Sequence, residues 1–166
     1  MSNNIFLRKP ILSDLNQLLL WENDFQKSFH TDHPIFYSVD EIHNFLISDH
    51  DLLSKGQLRY IIVANEIPVG CIDLYSYDLV NSRAGVGIFI DSKFRLNGYA
   101  SKSLKILKSV ANQEYLISSL YAEIMASNSL SIRIFEKNGF IKNGKKQNWI
   151  RQQDSFEDVY FYQILL

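Results

Sequence analysis

The residues Arg95-Leu96-Asn97-Gly98-Tyr99-Ala100 lie between an apolar, strand-like run, Ala84 to Asp91, and an amphipathic, helix-like run, Ser101 to Asn112. Strand, glycine loop and helix N-terminus in that order form an anion-binding arrangement. The first-turn N–H groups of a helix have no partner within it, and the positive end of the helix dipole points the same way. A pyrophosphate fits such a place. No Lys-Ser/Thr pair follows the glycine, as a P-loop requires, and there is no Gly-x-Gly-x-x-Gly for a dinucleotide-binding turn. Gly98 keeps a Cβ away from the anion and Ala100 is small enough for the same approach, while Arg95 either pairs with a phosphate or is a solvated loop arginine.

Arg95-x-x-Gly98-x-Ala100 in this setting resembles the acyl-CoA-binding motif Arg/Gln-x-x-Gly-x-Gly/Ala of the GNAT superfamily of N-acyltransferases. Downstream, the stretch from Ala126-Ser127-Asn128 to Lys137-Asn138-Gly139-Phe140 resembles that family's strand, Asn, helix, Gly-Phe segment, in the right order and at a fitting separation. The start, Phe6-Leu7-Arg8-Lys9-Pro10 and then Ser13-Asp14, is similar to the ribosomal-protein-acetylating and polyamine-acetylating branches. The resemblance is sharpest over Ala84 to Phe140 and extends over most of the chain. It implies an α/β fold with a central mixed, mostly antiparallel sheet, splayed where the cofactor enters and covered by helices on both faces. It also implies acetyl-CoA as cosubstrate, with the backbone of Ile88, Phe89, Ile90 and Asp91 along the pantetheine arm and Arg95, Leu96, Asn97, Gly98, Tyr99, Ala100 and Ser101 around the pyrophosphate. Asn128 matches the family's cofactor-contacting asparagine, though helix capping alone accounts for it equally well.

Acyl transfer from a thioester to an amine needs a cofactor site, a polarised carbonyl and an unprotonated amine. By resemblance, a backbone N–H near Phe89 or Ile90 polarises the carbonyl. An alkylamine is about 3.4 pKa units from neutrality at pH 7, so its reactive form costs roughly 4.6 kcal/mol and a base is worth having. Glu123 is the first candidate, because Glu123 to Asn128 resembles the stretch in ribosomal-protein N-terminal acetyltransferases where a glutamate five residues before the asparagine has this role; the alternative is an exposed or salt-bridged strand glutamate. Asp91 and Glu22, acting through water, come next. Many relatives place a tyrosine proton donor in the helix before Gly-Phe, and here that residue is Phe135, which has no proton to give; Tyr99, Tyr121, Tyr160 or water must serve if a donor is needed. For the acceptor, the resemblance points to the N-terminal helix-loop-helix: Trp21, Glu22, His30, His33 and Tyr37, for which ordinary loop and core packing is the competing account. The acceptor is a small amine or a protein N-terminus. A GNAT-like domain without turnover, acting as an acyl-CoA sensor or interaction module, is the rival reading, and an unrelated nucleotide-binding protein the third.

With 166 residues, 46% apolar and 21% charged, the composition is that of one globular domain spanning 1–166. No run approaches the roughly 20 apolar residues of a membrane span, and Met1-Ser2-Asn3-Asn4 does not resemble a secretion signal. The single cysteine, Cys71, sits in a β-rich run, reads as a buried thiol, and fits a reducing cytoplasm. Histidine spacing suggests no metal site. Residues 1–91 hold six Lys/Arg against twelve Asp/Glu, and residues 92–166 hold eleven against six. An acidic half suits an amine and a basic half suits a polyanionic cofactor, although chance partition of surface charge gives the same count. Nothing points to nucleic acid, and relatives often form homodimers.

The elements that must position these residues follow from periodicity. Ile5 to Arg8 reads as a strand and Ser13 as the cap of a helix carrying Leu15, Leu18 and Leu19. Residues 24–37 read as a loop. Ser38-Val39-Asp40-Glu41 is a capping box opening one helix through Leu53 to Lys55-Gly56. Arg59 to Ala64 and Ile67 to Tyr75, separated by Asn65-Glu66, form a hairpin. Gly85 and Gly87 in the next strand suggest a bulge or close backbone approach. A helix, the strand Leu120 to Met125, a helix capped by Ser127 or Asn128 and ended at Asn138-Gly139, a turn or bulge at Gly144, and a closing strand in Asp158 to Leu166 complete the expectation.

Overall fold

The computed structural model describes residues 4–24, 36–152 and 154–166. Its strands are β1 Ile5–Arg8, β2 Leu58–Ala64, β3 Ile67–Asp78, β4 Arg83–Ile90, β5 Ser119–Met125, β6 Ile141–Arg151 and β7 Phe156–Leu165. The helices are α1 Leu15–Glu22, α2 Val39–Ile47, α3 Leu52–Lys55, α4 Tyr99–Tyr115 and α5 Ser129–Lys137. The seven strands form one sheet in the order β1-β2-β3-β4-β5-β7-β6. Every neighbouring pair is antiparallel except β4 and β5, which run parallel and are joined by α4. This mixed sheet with helices on both faces is the architecture expected from the sequence.

Strand alternation sorts the core into two layers. In β2, Leu58, Tyr60, Ile62 and Ala64 face Leu104, Leu107 and Ala111 of α4, together with Phe135 of α5 and Leu52 of α3. Ile61 and Val63 point the other way and pack with Leu18 and Trp21 of α1 and Ile42 and Leu46 of α2, joined there by Cys71, which is buried.

The hairpin turn Asn65-Glu66 has positive φ at both residues, 50° and 69°, as a two-residue turn matched to strand twist demands. Register then shifts by one residue between Ile62 and Val63, leaving Val69 as the extra residue.

Several expected details differ. Ser13 caps nothing: Asp14 is the N-cap residue of α1, and its carboxylate is spent on the Ile11 amide at 2.8 Å and on Arg8 in two bonds of 2.7 Å. The capping box at Ser38 and Glu41 is present, but the helix it opens stops at Ile47. Asp51 then accepts from the Ser54 amide and starts α3 separately, which buries Leu52 and leaves Leu53 exposed. No register shift occurs at Gly85 or Gly87; β3 and β4 pair in step from Gly70↔Ile90 to Tyr75↔Gly85. Gly85 instead makes room for the ring of Tyr75, which would lie 2.3 Å from an added Cβ. The C-terminal strand β7 is interior, between β5 and β6, and β6 is the edge, bulged at Gly144.

The closest backbone approach falls at Gly70, where an added Cβ would lie 2.1 Å from the Phe89 carbonyl oxygen, whereas at Gly87 the nearest atom is the Asp73 Cβ at 3.9 Å. Gly70→Ala is therefore expected to destabilise by about 1–3 kcal/mol, as overpacking does, and Gly87→Ala to stay within about 0.5 kcal/mol of the parent. Urea unfolding midpoints of the two variants check this contrast.

Candidate active site

β4 and β5 are paired only at Arg83↔Ser119, Ala84↔Leu120 and Gly85↔Tyr121. Beyond Gly85 each strand stays bonded on its outer edge, β4 to β3 as far as Ile90 and β5 to β7 as far as Met125, while the inner edges diverge. The Asp91 amide bonds Val69 at 3.0 Å, so alternation directs the backbone groups of Phe89 toward β3 as well, and those of Ile88 and Ile90 into the gap. Of the two amides named as carbonyl donors from sequence, Ile90 faces the gap and Phe89 does not.

A cleft of about 740 Å³ occupies this gap and continues over the start of α4. Its walls include Ile88, Phe89, Ile90, Arg95, Leu96, Gly98, Tyr99, Ala100, Ser101 and Asn128, with Glu123 on β5 and Glu22 at the end of α1. Gly98 is the N-cap of α4 with φ +76°, a conformation other residues rarely adopt, and no protein atom lies within 4 Å of where its Cβ would be. The backbone conformation is thus the reason for glycine within the protein itself. The Lys102 amide is bonded to the Gly98 carbonyl at 3.1 Å, which leaves the Tyr99, Ala100 and Ser101 amides as the first-turn donors without an intrahelical partner.

Leu96 carries positive φ, 64°, and is 96% exposed. Arg95 is held by a bond from Nε to the Ile90 carbonyl at 3.1 Å. Asn97 does not line the cleft; its amide ties the loop to the Phe94 and Arg95 carbonyls at 3.1 and 3.0 Å. Asn128 accepts from the Ser131 amide at 3.1 Å, so it caps α5 while lining the cleft.

Asp91 lies outside the cleft lining. Its carboxylate accepts the Trp21 indole N–H at 3.0 Å and the Lys93 amide at 3.0 Å. Burial acts to raise this carboxyl, but the Trp21 bond, the Lys93 amide and the charges of Lys93 and Arg95 outweigh it and hold the group below the usual carboxylate range. A carboxylate so held is a poor proton acceptor and a good fastener. Trp21 is correspondingly buried against Phe89, with ring centroids 5.8 Å apart. Tyr37 exchanges two bonds with Asn23, at 2.8 and 2.9 Å, fixing the segment after residue 35 to the end of α1. His30 and His33 lie outside the described residues.

Glu123 and Met125 share the face of the sheet that carries α1 and α2, opposite Ala122 and Ile124. The Glu123 carboxylate, 29% exposed, accepts from Lys146 Nζ at 2.6 Å, and Lys146 also sits 4.7 Å from the Trp149 ring. On the same face, Arg59 makes a two-bond pair with Asp73, at 2.8 and 2.7 Å, and a further bond to Glu22. Burial works against the Arg59 charge, but Asp73, Cys71 and Glu22 hold its pKa well above normal. Two carboxylates on one guanidinium leave an excess negative charge at this end of the cleft. At the other, Arg95, Arg133 and Lys137 line the wall.

Sequence reasoning missed Arg59, Asp73, Lys146, Ser131 and Arg133. The signal for the first two was a charge inside each apolar strand of the hairpin. Counting back from the turn pairs Arg59 with Ile72, and only the extra residue Val69 brings Asp73 opposite. Among the described residues, no group of three or more His, Cys, Asp or Glu could hold a metal ion, and no helix is long and apolar enough to cross a membrane.

The profile of the acetyltransferase (GNAT) domain matches residues 4–141. The N-acetyltransferase p20 of Bacillus licheniformis, itself uncharacterised, is 22% identical over 167 residues, covering 99% of this chain and 94% of its own length. Among solved structures, the spermidine N-acetyltransferase of Vibrio cholerae with CoA and spermine superposes with a TM-score of 0.87 at 16% identity, covering 97% of this chain and 95% of that one. RimL, a ribosomal L7/L12 α-N-protein acetyltransferase in complex with coenzyme A, superposes with a TM-score of 0.86 at 20% identity over 100% of this chain and 96% of its own.

The Asp91 fastener has a defined pH signature. Its folded pKa is depressed, so its stabilisation is fully present above the unfolded value, about 3.9, and is lost as pH falls through the folded value. Asp91→Asn is expected to be less stable than the parent at pH 7, with the difference shrinking below about pH 4. Unfolding followed by tryptophan fluorescence across this range measures it.

Proposed function

The chain belongs to the GNAT acetyltransferase family, and from that premise we propose that it transfers an acetyl group from acetyl-CoA to a cationic primary amine by direct attack in a ternary complex, in the cytoplasm. The observation that carries this reading is the gap between β4 and β5 opening onto the first turn of α4. The Ile88 and Ile90 backbone groups pair with the pantetheine arm as an added strand would, and the Tyr99, Ala100 and Ser101 amides receive the pyrophosphate with Arg95 beside them. Acetyl-CoA supplies an activated thioester, and the Ile90 N–H is placed to polarise its carbonyl.

The acceptor enters from the α1 and α2 face. Asp73 and Glu22 attract it as a cation, and Glu123 takes its proton, directly or through water. Lys146 must first release the Glu123 carboxylate, which it holds as a substrate ammonium would. Phe135 contributes apolar packing, buried against Phe140; Tyr99 and Ser131, both in the cleft wall, carry hydroxyls that could replace a tyrosine donor there. A thiolate with a pKa near 8.5 leaves at pH 7 for only about 2 kcal/mol, so a weak donor suffices. Asp91 and Trp21 align the loop without taking part in the chemistry. That the Vibrio cholerae relative is a spermidine acetyltransferase and RimL a protein α-N-acetyltransferase supports an amine acceptor. The acidic end of the cleft favours a small polycation over an uncharged amine.

Acetyl-CoA at 100 times its Kd should stabilise the protein by about 2.7 kcal/mol, a shift of a few degrees in Tm, while ATP and NAD leave it unmoved and folded Gly98→Glu gives no response. In an amine screen, Glu123→Gln should lower kcat by about 10²–10⁴-fold with acetyl-CoA affinity unchanged, and Lys146→Met should keep turnover. Cofactor affinity with no turnover on any amine would favour an acyl-CoA sensor instead.

A further inference from the structure

Two serines stand two residues apart in the first turns of α4, and their hydroxyls are used differently. Ser103 is buried and its hydroxyl is directed at the Tyr99 and Ala100 carbonyls, at 2.9 and 3.1 Å. Ser101 lines the cleft, and its oxygen accepts a bond of 2.6 Å from Asn138 Nδ2. No acceptor among the described residues takes the Ser101 proton.

Asn138, which follows α5, is 5% exposed. Its amide nitrogen has two hydrogens. One goes to Ser101 and the other to the Ile134 carbonyl at 2.7 Å. Exchanging the amide oxygen and nitrogen would set that oxygen against the Ile134 carbonyl oxygen, so the orientation is fixed. Its Oδ1 is buried with no partner, a desolvation cost that packing does not explain. Asn138 therefore occupies one of the two lone pairs of the Ser101 oxygen and orients the hydroxyl, whose proton, without an acceptor among the described residues, is left for the cleft that Ser101 lines.

We propose that Asn138 is a positioning residue for the cosubstrate: it orients the Ser101 hydroxyl as a donor to the diphosphate at the start of α4, adding one side-chain bond to the amides of that turn. This rests on the acetyl-CoA reading above and deepens it. The backbone amides hold any anion placed there. Ser101, aimed by Asn138 from the neighbouring helix, makes the site sensitive to how α5 is seated against α4.

The test measures Kd for CoA by calorimetry and for pantetheine, which has no diphosphate, by NMR titration. Ser101→Ala and Asn138→Ala should each weaken CoA about tenfold or more, the range of one hydrogen bond to a charged group. The double variant should be no worse than either single one, because the two act as a unit. Ser101→Thr, which keeps the hydroxyl, should bind nearly as the parent does. Asn138→Asp, which takes the Ser101 proton instead of offering its own, should weaken CoA at least as much as Asn138→Ala. Pantetheine should bind all of them alike. If Asn138→Ala does not fold, Asn138→Asp and the two Ser101 variants decide the matter. Additive losses, equal weakening of CoA and pantetheine, or parent-like CoA binding by the Asn138 variants would overturn the proposal while leaving the cosubstrate assignment standing. A parent protein that binds no CoA would overturn both.

Discussion

The structure depends on a parallel strand pair that is left incomplete. β4 and β5 share three residue pairs and then separate, yet neither strand frays, because β3 holds the outer edge of one and β7 the outer edge of the other. Backbone N–H and C=O groups facing a gap carry a demand for hydrogen bonds that apolar side chains cannot meet. The connection from β4 through α4 to β5 brings the helix start to the end of β4 that borders the gap, so strand groups without a strand partner and helix amides without an intrahelical partner face the same cleft. In open α/β sheets ligands bind at this kind of place, beyond the carboxyl ends of strands where neighbouring connections diverge.

Charge gives the cleft a direction. Its helix end is walled by Arg95, Arg133 and Lys137, and its sheet end by the Glu22–Arg59–Asp73 cluster and Glu123. The uneven division of charged residues along the sequence thus appears within one cleft, since α4 and α5 come from the basic half and α1 and the hairpin from the acidic half. Trp21 and Asp91 join the two ends mechanically, because the indole at the end of α1 bonds the carboxylate that also accepts the Lys93 amide ahead of the glycine loop. The end of α1 and the segment ahead of the loop are thus tied through one carboxylate.

Local chemistry was legible in the sequence wherever it decides the structure. The Ser38–Glu41 capping box, the two-residue turn Asn65-Glu66, the Asn128 cap and the helix end at Asn138-Gly139 each depend on a few adjacent residues, and each was readable. What depended on long-range pairing was not. One residue of shift at Val69 reverses which side chains of β3 face Arg59, and no pattern within the strand announces it. Lys146 meets Glu123 across β7, a strand to which neither belongs. The break between α2 and α3 was hidden because Leu53 continues the apolar spacing, although burial chooses Leu52. Gly85 stood out correctly as special, but the space there goes to a tyrosine ring and not to a bulge, and at Gly87 there is neither a bulge nor a close approach.

Backbone amide hydrogen exchange with and without saturating CoA tests the central claim most directly, because that claim concerns main-chain groups that no side-chain substitution removes. The account predicts slowed exchange concentrated at Ile88 and Ile90 and at Tyr99 to Ser101, with the amides that β4 already spends on β3 unchanged. Protection by CoA confined to other elements, or none at these positions, would contradict it.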